Sequence, residues 1–126
     1  RIVTLEELRE MSCLIQRVSF ECLDFTDSIS RVKPDDFMYL DPPYYAEQAT
    51  SFVNYVGDGF NEKQHKNLFT LIQNKAKSGV TFVLSNSNVK NVKDQFTEYT
   101  IEEIDVKRSI HSKNPGVKTK EVLIYN

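Results

Sequence analysis

Four consecutive residues, Asp41-Pro42-Pro43-Tyr44, bring together a carboxylate, two prolyl carbonyls and an aromatic ring. Each proline fixes its own φ and has no N–H, so the segment offers hydrogen-bond acceptors in a stiff arrangement. Such a set suits an amino group on a flat ring. The exocyclic amine of a nucleobase is a poor nucleophile because its lone pair is delocalised. Accepting its two hydrogens on the Asp41 carboxylate and the Pro42 carbonyl favours the geometry that attacks an electrophilic methyl group, while Tyr44 stacks on the base. The same four residues also describe a plain tight turn with a packed tyrosine, from the turn preferences of Pro and Asp.

A strand must deliver this segment. Phe37-Met38-Tyr39-Leu40 is a short apolar run that stops at Asp41, as a strand buried on both faces of a parallel sheet does, and strand ends are where open α/β sheets place ligands. Upstream, Thr4 and Glu7 make a capping box, and Leu5, Leu8, Met11 and Ile15 recur at helical spacing. Residues 4 to 16 are therefore predicted as an amphipathic helix packed by one face. Val18 to Cys22 alternates with period two, which predicts a strand ending at Asp24-Phe25, with Thr26 or Asp27 capping a short helix. Downstream of the site, a long loop at 45 to 60 precedes a helix capped by Asn61 and Gln64 and closed by Gly79. A second buried strand is expected at Val80 to Leu84, then a loop at Ser85 to Asn88 capping a helix with Val89, Val92 and Phe96. Thr100 to Arg108 and Thr119 to Tyr125 read as a hairpin.

The 126 residues set one domain at most, and with 40% hydrophobic residues a real core is possible without disulfides or a structural metal. Cys13 and Cys22 form no CxxC and share no ligand spacing with His65 or His111, so no zinc site or disulfide framework is indicated and the reduced cytosol is the expected compartment. No apolar run reaches the length of a membrane span. A formal charge of -2 argues against a nucleic-acid coat protein. The chain opens on Arg1, which is read as the mark of a piece or a processed product. His65 is expected on the exposed face of its helix, without a catalytic partner, and Phe52 and Tyr55 either help hold a flipped base or pack in the core.

Taken in order, Phe20-x-Cys22-x-Asp24-Phe25, Tyr39-Leu40-Asp41-Pro42-Pro43-Tyr44, Phe52-Val53-x-Tyr55, Phe60 with Gln64 and Leu68, Leu84-Ser85-Asn86-Ser87, Arg108-Ser109-Ile110 and Glu121-Val122-Leu123-Ile124 resemble the Dam-type (D12 class) DNA adenine-N6 methyltransferases, from about residue 18 to 126. The resemblance implies an α/β fold, a partial Rossmann-like methyltransferase sandwich with parallel strands and a C-terminal antiparallel hairpin, over one incomplete catalytic domain. It implies transfer of a methyl group from S-adenosylmethionine to N6 of a flipped adenine in double-stranded DNA. Asp41, Pro42 and Tyr44 would form the catalytic loop. Asp24, Phe25 and Asp41 would meet the cofactor, Asp24 taking its amino group and Phe25 lying against its purine. The residue-level alternative for Asp24 is a helix cap beside a core phenylalanine. Arg108 and Ser109 resemble a loop facing DNA, with Lys113, Lys118 and Lys120 as phosphate contacts. The segment from Asp105 to Asn126 carries a local charge of +3, as an ordinary solvated hairpin tip also can.

The family's glycine-containing turn after its first strand has no counterpart among Gly57, Gly59, Gly79 and Gly116. The acidic strand end for the ribose and nearly all of the sequence-reading insert are also missing. The chain is thus expected to be the C-terminal catalytic half, silent alone, completed by the missing N-terminal half or by a homodimer that covers the exposed sheet edge. A non-catalytic remnant serving as a nucleic-acid or protein interaction module is the competing reading.

Overall fold

The computed structural model describes residues 3–45, 60–107 and 118–126. Local chemistry sets the starts of the longer helices. Thr4 Oγ1 accepts the Glu7 N–H while the Glu7 carboxylate accepts the Thr4 N–H, and α1 (Leu5–Leu14) follows, ending in a 3-10 turn at Ile15–Arg17. Asn61 and Gln64 make the same reciprocal exchange ahead of α3 (Glu62–Lys77). After α3 the chain reverses at Gly79, whose φ of 94° lies in the left-handed region that only glycine enters freely. The short α2 (Phe25–Ser30) is capped by Asp24 and not by Thr26 or Asp27, because the Asp24 carboxylate turns forward onto the Thr26 N–H at 2.9 Å. Lys75 of α3 donates to the carbonyls of Ser30 and Val32, satisfying the open end of α2 and tying the two helices together.

Four strands form one mixed sheet in the order β1-β2-β4-β3: β1 (Phe37–Leu40), β2 (Thr81–Ser87), β3 (Thr100–Lys107) and β4 (Lys118–Tyr125). β1 and β2 are parallel neighbours joined through α3, with Met38 beside Phe82 and Leu40 beside Leu84. β4 runs antiparallel to both β2 and β3. This is the expected partial methyltransferase architecture, parallel strands finished by an antiparallel hairpin.

The core lies on one face of the sheet. Met38, Phe82, Leu84, Val122 and Ile124 pack against Leu68, Phe69 and Ile72 of α3, Val92 of α4 (Lys90–Lys93) and Phe96. Burying each of these larger side chains is worth roughly 1.5–3 kcal/mol. Edge-to-face ring contacts run through it, with Phe69 to Phe96 at 5.1 Å and Phe82 to Tyr99 at 5.3 Å.

The structure corrects four further sequence expectations about strands and helix packing. Residues 18–24 form no strand; they are exposed, and the described residues offer them no partner strand, without which an alternating pattern has no ladder to join. The apolar side of α1 packs on nothing among the described residues that buries it, so Leu5, Leu8, Met11 and Leu14 are exposed. β1 is not buried on both faces: Met38 is buried, but Phe37 and Tyr39 are 62% and 63% exposed, because the described helices cover only the face that Met38 occupies. The stretch expected as a loop from Ser85 is strand through Ser87, since β4 supplies partners for Ser85, Asn86 and Ser87 at Leu123, Val122 and Glu121. Helix α4 consequently starts at Lys90 behind Val89, which provides no side-chain cap.

Candidate active site

Asp41 leaves the carboxyl end of β1 and caps no helix. Its Oδ1 accepts from the Ser85 hydroxyl at 2.7 Å, which ties the start of the Asp-Pro-Pro-Tyr segment to the neighbouring parallel strand. The pairing that puts Leu40 opposite Leu84 places Ser85 one step beyond, beside Asp41. The residue is exposed, and its other carboxylate oxygen has no hydrogen-bond partner among the described residues. Ser85, which in the sequence is only one member of a motif, is thus a direct partner of the candidate acid.

Tyr44 is half-buried, and its hydroxyl donates to Oε2 of Glu121 at 2.9 Å. Glu121 sits at the start of the covered part of β4, only 8% exposed. Burial pushes the Tyr44 phenol above 10.0; the Ser85 hydroxyl opposes this, and the negative charges of Glu121 and Asp41 reinforce it. The phenol therefore stays protonated and remains a donor at neutral pH, which is what a bond to a carboxylate requires. In the sequence Glu121 belongs to a motif that gives it no role. The missing signal is its placement opposite Ser87 in the ladder, which comes from a pairing remote in sequence.

The next residue is held as though the sheet continued. Tyr45 N–H donates to Asn86 Oδ1 at 2.9 Å and Tyr45 C=O accepts from Ser87 Oγ at 2.7 Å. Two side chains of β2 thus replace the backbone ladder where the chain leaves the sheet. Pro43 is also fixed: its carbonyl lies 2.9 Å from His65 Nε2. His65 is only 2% exposed, which corrects the expectation that it lies on the solvent face of α3. It sits one turn into α3, on the side that packs toward the sheet with Leu68 and Phe69, and its ring meets Tyr45 at 5.0 Å, Phe60 at 4.6 Å and Phe69 at 5.8 Å. A histidine ringed by aromatic edges at the centre of a core has no local sequence signature that separates it from a surface one.

Asp24 is the α2 cap, as the residue-level alternative held. Its Oδ1 takes both the N–H and the hydroxyl of Thr26, and these two bonds hold its carboxyl below the ordinary aspartate value of 3.8. It remains exposed. Phe25 is partly buried and meets Phe60 edge-on at 5.5 Å; Phe60 in turn touches His65. The structure therefore links Phe25 to the Asp41 to Tyr44 segment through Phe60, His65 and Pro43.

Arg108, Ser109 and Lys113, together with Phe52 and Tyr55, lie outside the described residues. Lys118 pairs with Lys107 at the outer end of the β3–β4 ladder, and Lys120 is exposed beside Glu103 at 3.7 Å. Among the described residues no cluster of His, Cys, Asp and Glu could hold a metal, Cys13 and Cys22 are free thiols, and no helix is long and apolar enough to cross a membrane.

Comparison with known proteins places the sequence in a family. The chain is 29% identical to the retron Ec67 DNA adenine methylase of Escherichia coli over 83% of its own length and 35% of that protein. It is 32% identical to the type II methyltransferase M.MjaIII of Methanocaldococcus jannaschii, covering 96% of the chain and 43% of the relative. To the DNA adenine methylase of Salmonella typhi it is 27% identical, over 90% of the chain and 41% of the relative. The chain thus spans less than half the length of these relatives. Residues 1–110 match the family described as D12 class N6 adenine-specific DNA methyltransferase, a match that takes in α1 and strands β1 to β3 but stops short of β4. The chain belongs to the D12 class of N6 adenine-specific DNA methyltransferases.

Proposed function

We propose that this chain is the catalytic segment of an enzyme that methylates N6 of adenine in double-stranded DNA, with Asp41, Pro42 and Tyr44 receiving the flipped base. The observation that carries the reading is the Asp41 to Tyr44 segment, held at the end of a parallel strand by Ser85, His65, Asn86 and Glu121. Ser85 occupies one oxygen of Asp41 and leaves the other to accept an amine hydrogen. Pro42 is bonded to no donor among the described residues, so its carbonyl is open to the second hydrogen. Accepting both hydrogens draws electron density onto the nitrogen and favours the tetrahedral geometry in which its lone pair faces a methyl donor. The Tyr44 ring, steered by its bond to Glu121, offers the stacking face.

The residues present fit the adenine end of S-adenosylmethionine. Asp24 is an exposed carboxylate whose Oδ1 is committed to Thr26, and Phe25 is a partly buried ring beside it. When bound, the cofactor supplies the electrophilic methyl group. Asp24, Phe25 and Asp41 account for only part of such a site, and the glycine-containing turn that encloses the methionine end in this family is not among the residues of the chain. The remainder, on this reading, comes from an N-terminal half or from a second copy. Support lies in the exposed edge of β1, in the uncovered side chains of Phe37 and Tyr39, and in the share of each relative that the chain spans. Arg108, Ser109, Lys113 and Lys118 carry the proposed contacts to DNA, with phosphates as their partners.

Titration calorimetry with S-adenosylmethionine and a radiolabelled methyl-transfer assay on duplex DNA test this reading. The 126-residue chain alone is expected to bind weakly and transfer nothing, because a cofactor held at one end forfeits an orientation advantage worth roughly 7–11 kcal/mol in well-positioned systems. Adding an N-terminal half is expected to restore transfer. Micromolar binding or clear incorporation by the chain alone overturns the partial-pocket reading, and a completed enzyme that methylates no adenine overturns the function.

A further inference from the structure

Pro42 and Pro43 present two adjacent carbonyls, and an amine that met the wrong one would be displaced by a residue's length. The structure treats them differently. The Pro43 carbonyl lies 2.9 Å from His65 Nε2, whereas Pro42 is bonded to no donor among the described residues. On the other side of the ring, Nδ1 lies 3.1 Å from the carbonyl of Asn61, which already accepts the backbone N–H of His65 at 3.0 Å as the first bond of the helix. The Asn61 carbonyl therefore needs no ring proton, and the Pro43 carbonyl has no other donor among the described residues. A single ring proton belongs on Nε2, because a half-buried carbonyl without a donor is the costlier defect.

We infer that His65 is a positioning residue that donates from Nε2 to the Pro43 carbonyl, withdrawing that oxygen as a competing acceptor and leaving the Pro42 carbonyl as the one an amine can reach. The surroundings suit a fixed donor. The ring is buried among Tyr45, Phe60 and Phe69, so it cannot rotate away without breaking edge-to-face contacts on three sides. Its position in the first turn of α3 is locked by the Asn61–Gln64 capping box immediately before it. Tyr45, which touches the ring, has its own backbone clamped by Asn86 and Ser87, so His65 and β2 grip the same loop two residues apart, at Pro43 and Tyr45. What the Pro42 carbonyl receives rests on the methyltransferase reading; the latch does not.

Long-range proton–nitrogen correlation spectra of the labelled chain report which ring nitrogen carries the proton, and Nε2–H is expected; a bare Nε2 overturns the inference without any variant. Two substitutions then separate donation from packing. His65→Phe keeps an aromatic ring in the cluster and removes the donor, while His65→Gln places an amide N–H where Nε2 was. The phenylalanine variant is expected to shift the signals of residues 41–45 and speed exchange of the Tyr45 amide about tenfold, the worth of one hydrogen bond, with the core signals of Ile72 and Val80 in place. The glutamine variant is expected to return both toward the parent values. Equal spectra for residues 41–45 in the parent and the phenylalanine variant overturn the inference. In a completed enzyme the phenylalanine variant is expected to lose kcat with little change in KM for the cofactor, and rescue by glutamine supports donation. If the completed parent transfers methyl groups and the phenylalanine variant matches it, the positioning role is refuted while the methyltransferase reading stands. If the parent is inactive but the spectra behave as expected, the methyltransferase reading fails and the latch is upheld.

Discussion

Replacing Asn86 by alanine measures how firmly β2 holds the loop after β1. Asn86 is fully buried, and its Oδ1 accepts the N–H groups of Tyr45 and Ser87, each at 2.9 Å. Truncation strips both donors of their acceptor. A buried donor left in that state costs roughly 1–3 kcal/mol. Tyr45 is only half-buried, so water recovers part of the loss there and its share falls near 1 kcal/mol, against about 2 kcal/mol for the buried Ser87. One effect opposes these. Asn86 Nδ2 is buried and without a hydrogen-bond partner among the described residues, so its removal relieves about 1 kcal/mol of desolvation. The expected net loss is about 2 kcal/mol. With an unfolding entropy near 2.1 cal/mol/K for each of the 126 residues, that loss lowers the thermal midpoint by about 8 °C. Urea unfolding with linear extrapolation measures the energy, and amide exchange locates it. The Tyr45 amide is expected to exchange faster in the variant than the global loss alone accounts for. A loss below about 0.5 kcal/mol, or a full loss with Tyr45 exchange tracking global unfolding, would refute the idea that this side chain stands in for the missing ladder.

Three further outcomes follow from the same contacts. Asp41→Ala in a completed enzyme is expected to abolish methyl transfer with the fold intact, since Asp41 is exposed and its one described side-chain bond is to Ser85; near-normal turnover would refute its role. The Tyr44 phenol is raised above 10.0 in the folded chain, so its contribution to stability is complete below pH 10.0 and is lost as pH rises through the higher folded value. Ultraviolet difference titration should show Tyr44 ionising late alongside Tyr99, whose phenol burial also raises, and Tyr44→Phe should remove one of these late steps; an unchanged titration would count against the buried phenol. Gly79→Ala is expected to cost about 1 kcal/mol from backbone strain alone, because the new Cβ would meet Pro34 Cβ at 3.9 Å, an ordinary contact. A loss above about 3 kcal/mol in chemical denaturation would point to a collision that the geometry does not contain.

Features governed by neighbours along the chain are legible in the order of the amino acids. The capping boxes at Thr4 and Asn61, the glycine stop after α3 and the apolar run feeding Asp41 all follow from short-range pattern and turn chemistry, while the alternation of strand and helix suggests that β1 and β2 are parallel. The proposal of Asp-Pro-Pro-Tyr as the chemical centre draws on the same local information, because the inventory of acceptors in four adjacent residues needs no fold to be counted. What tertiary structure decided is which groups meet across long stretches of chain. Tyr44 finds Glu121 seventy-seven positions away, Tyr45 finds Asn86 forty-one away, and His65 finds Pro43 twenty-two away. The same distinction explains the misreadings. The alternating pattern at Val18 to Cys22 satisfies a strand locally, but a strand exists only where a ladder partner lies alongside, and none of the described strands does. Conversely Ser85 to Ser87 look like loop residues until β4 arrives beside them. Hydrogen bonds to remote partners carry no trace in the spacing of residues, so the burial of His65 and the grip on the loop at residues 41–45 exist only where the sheet and α3 have been brought together.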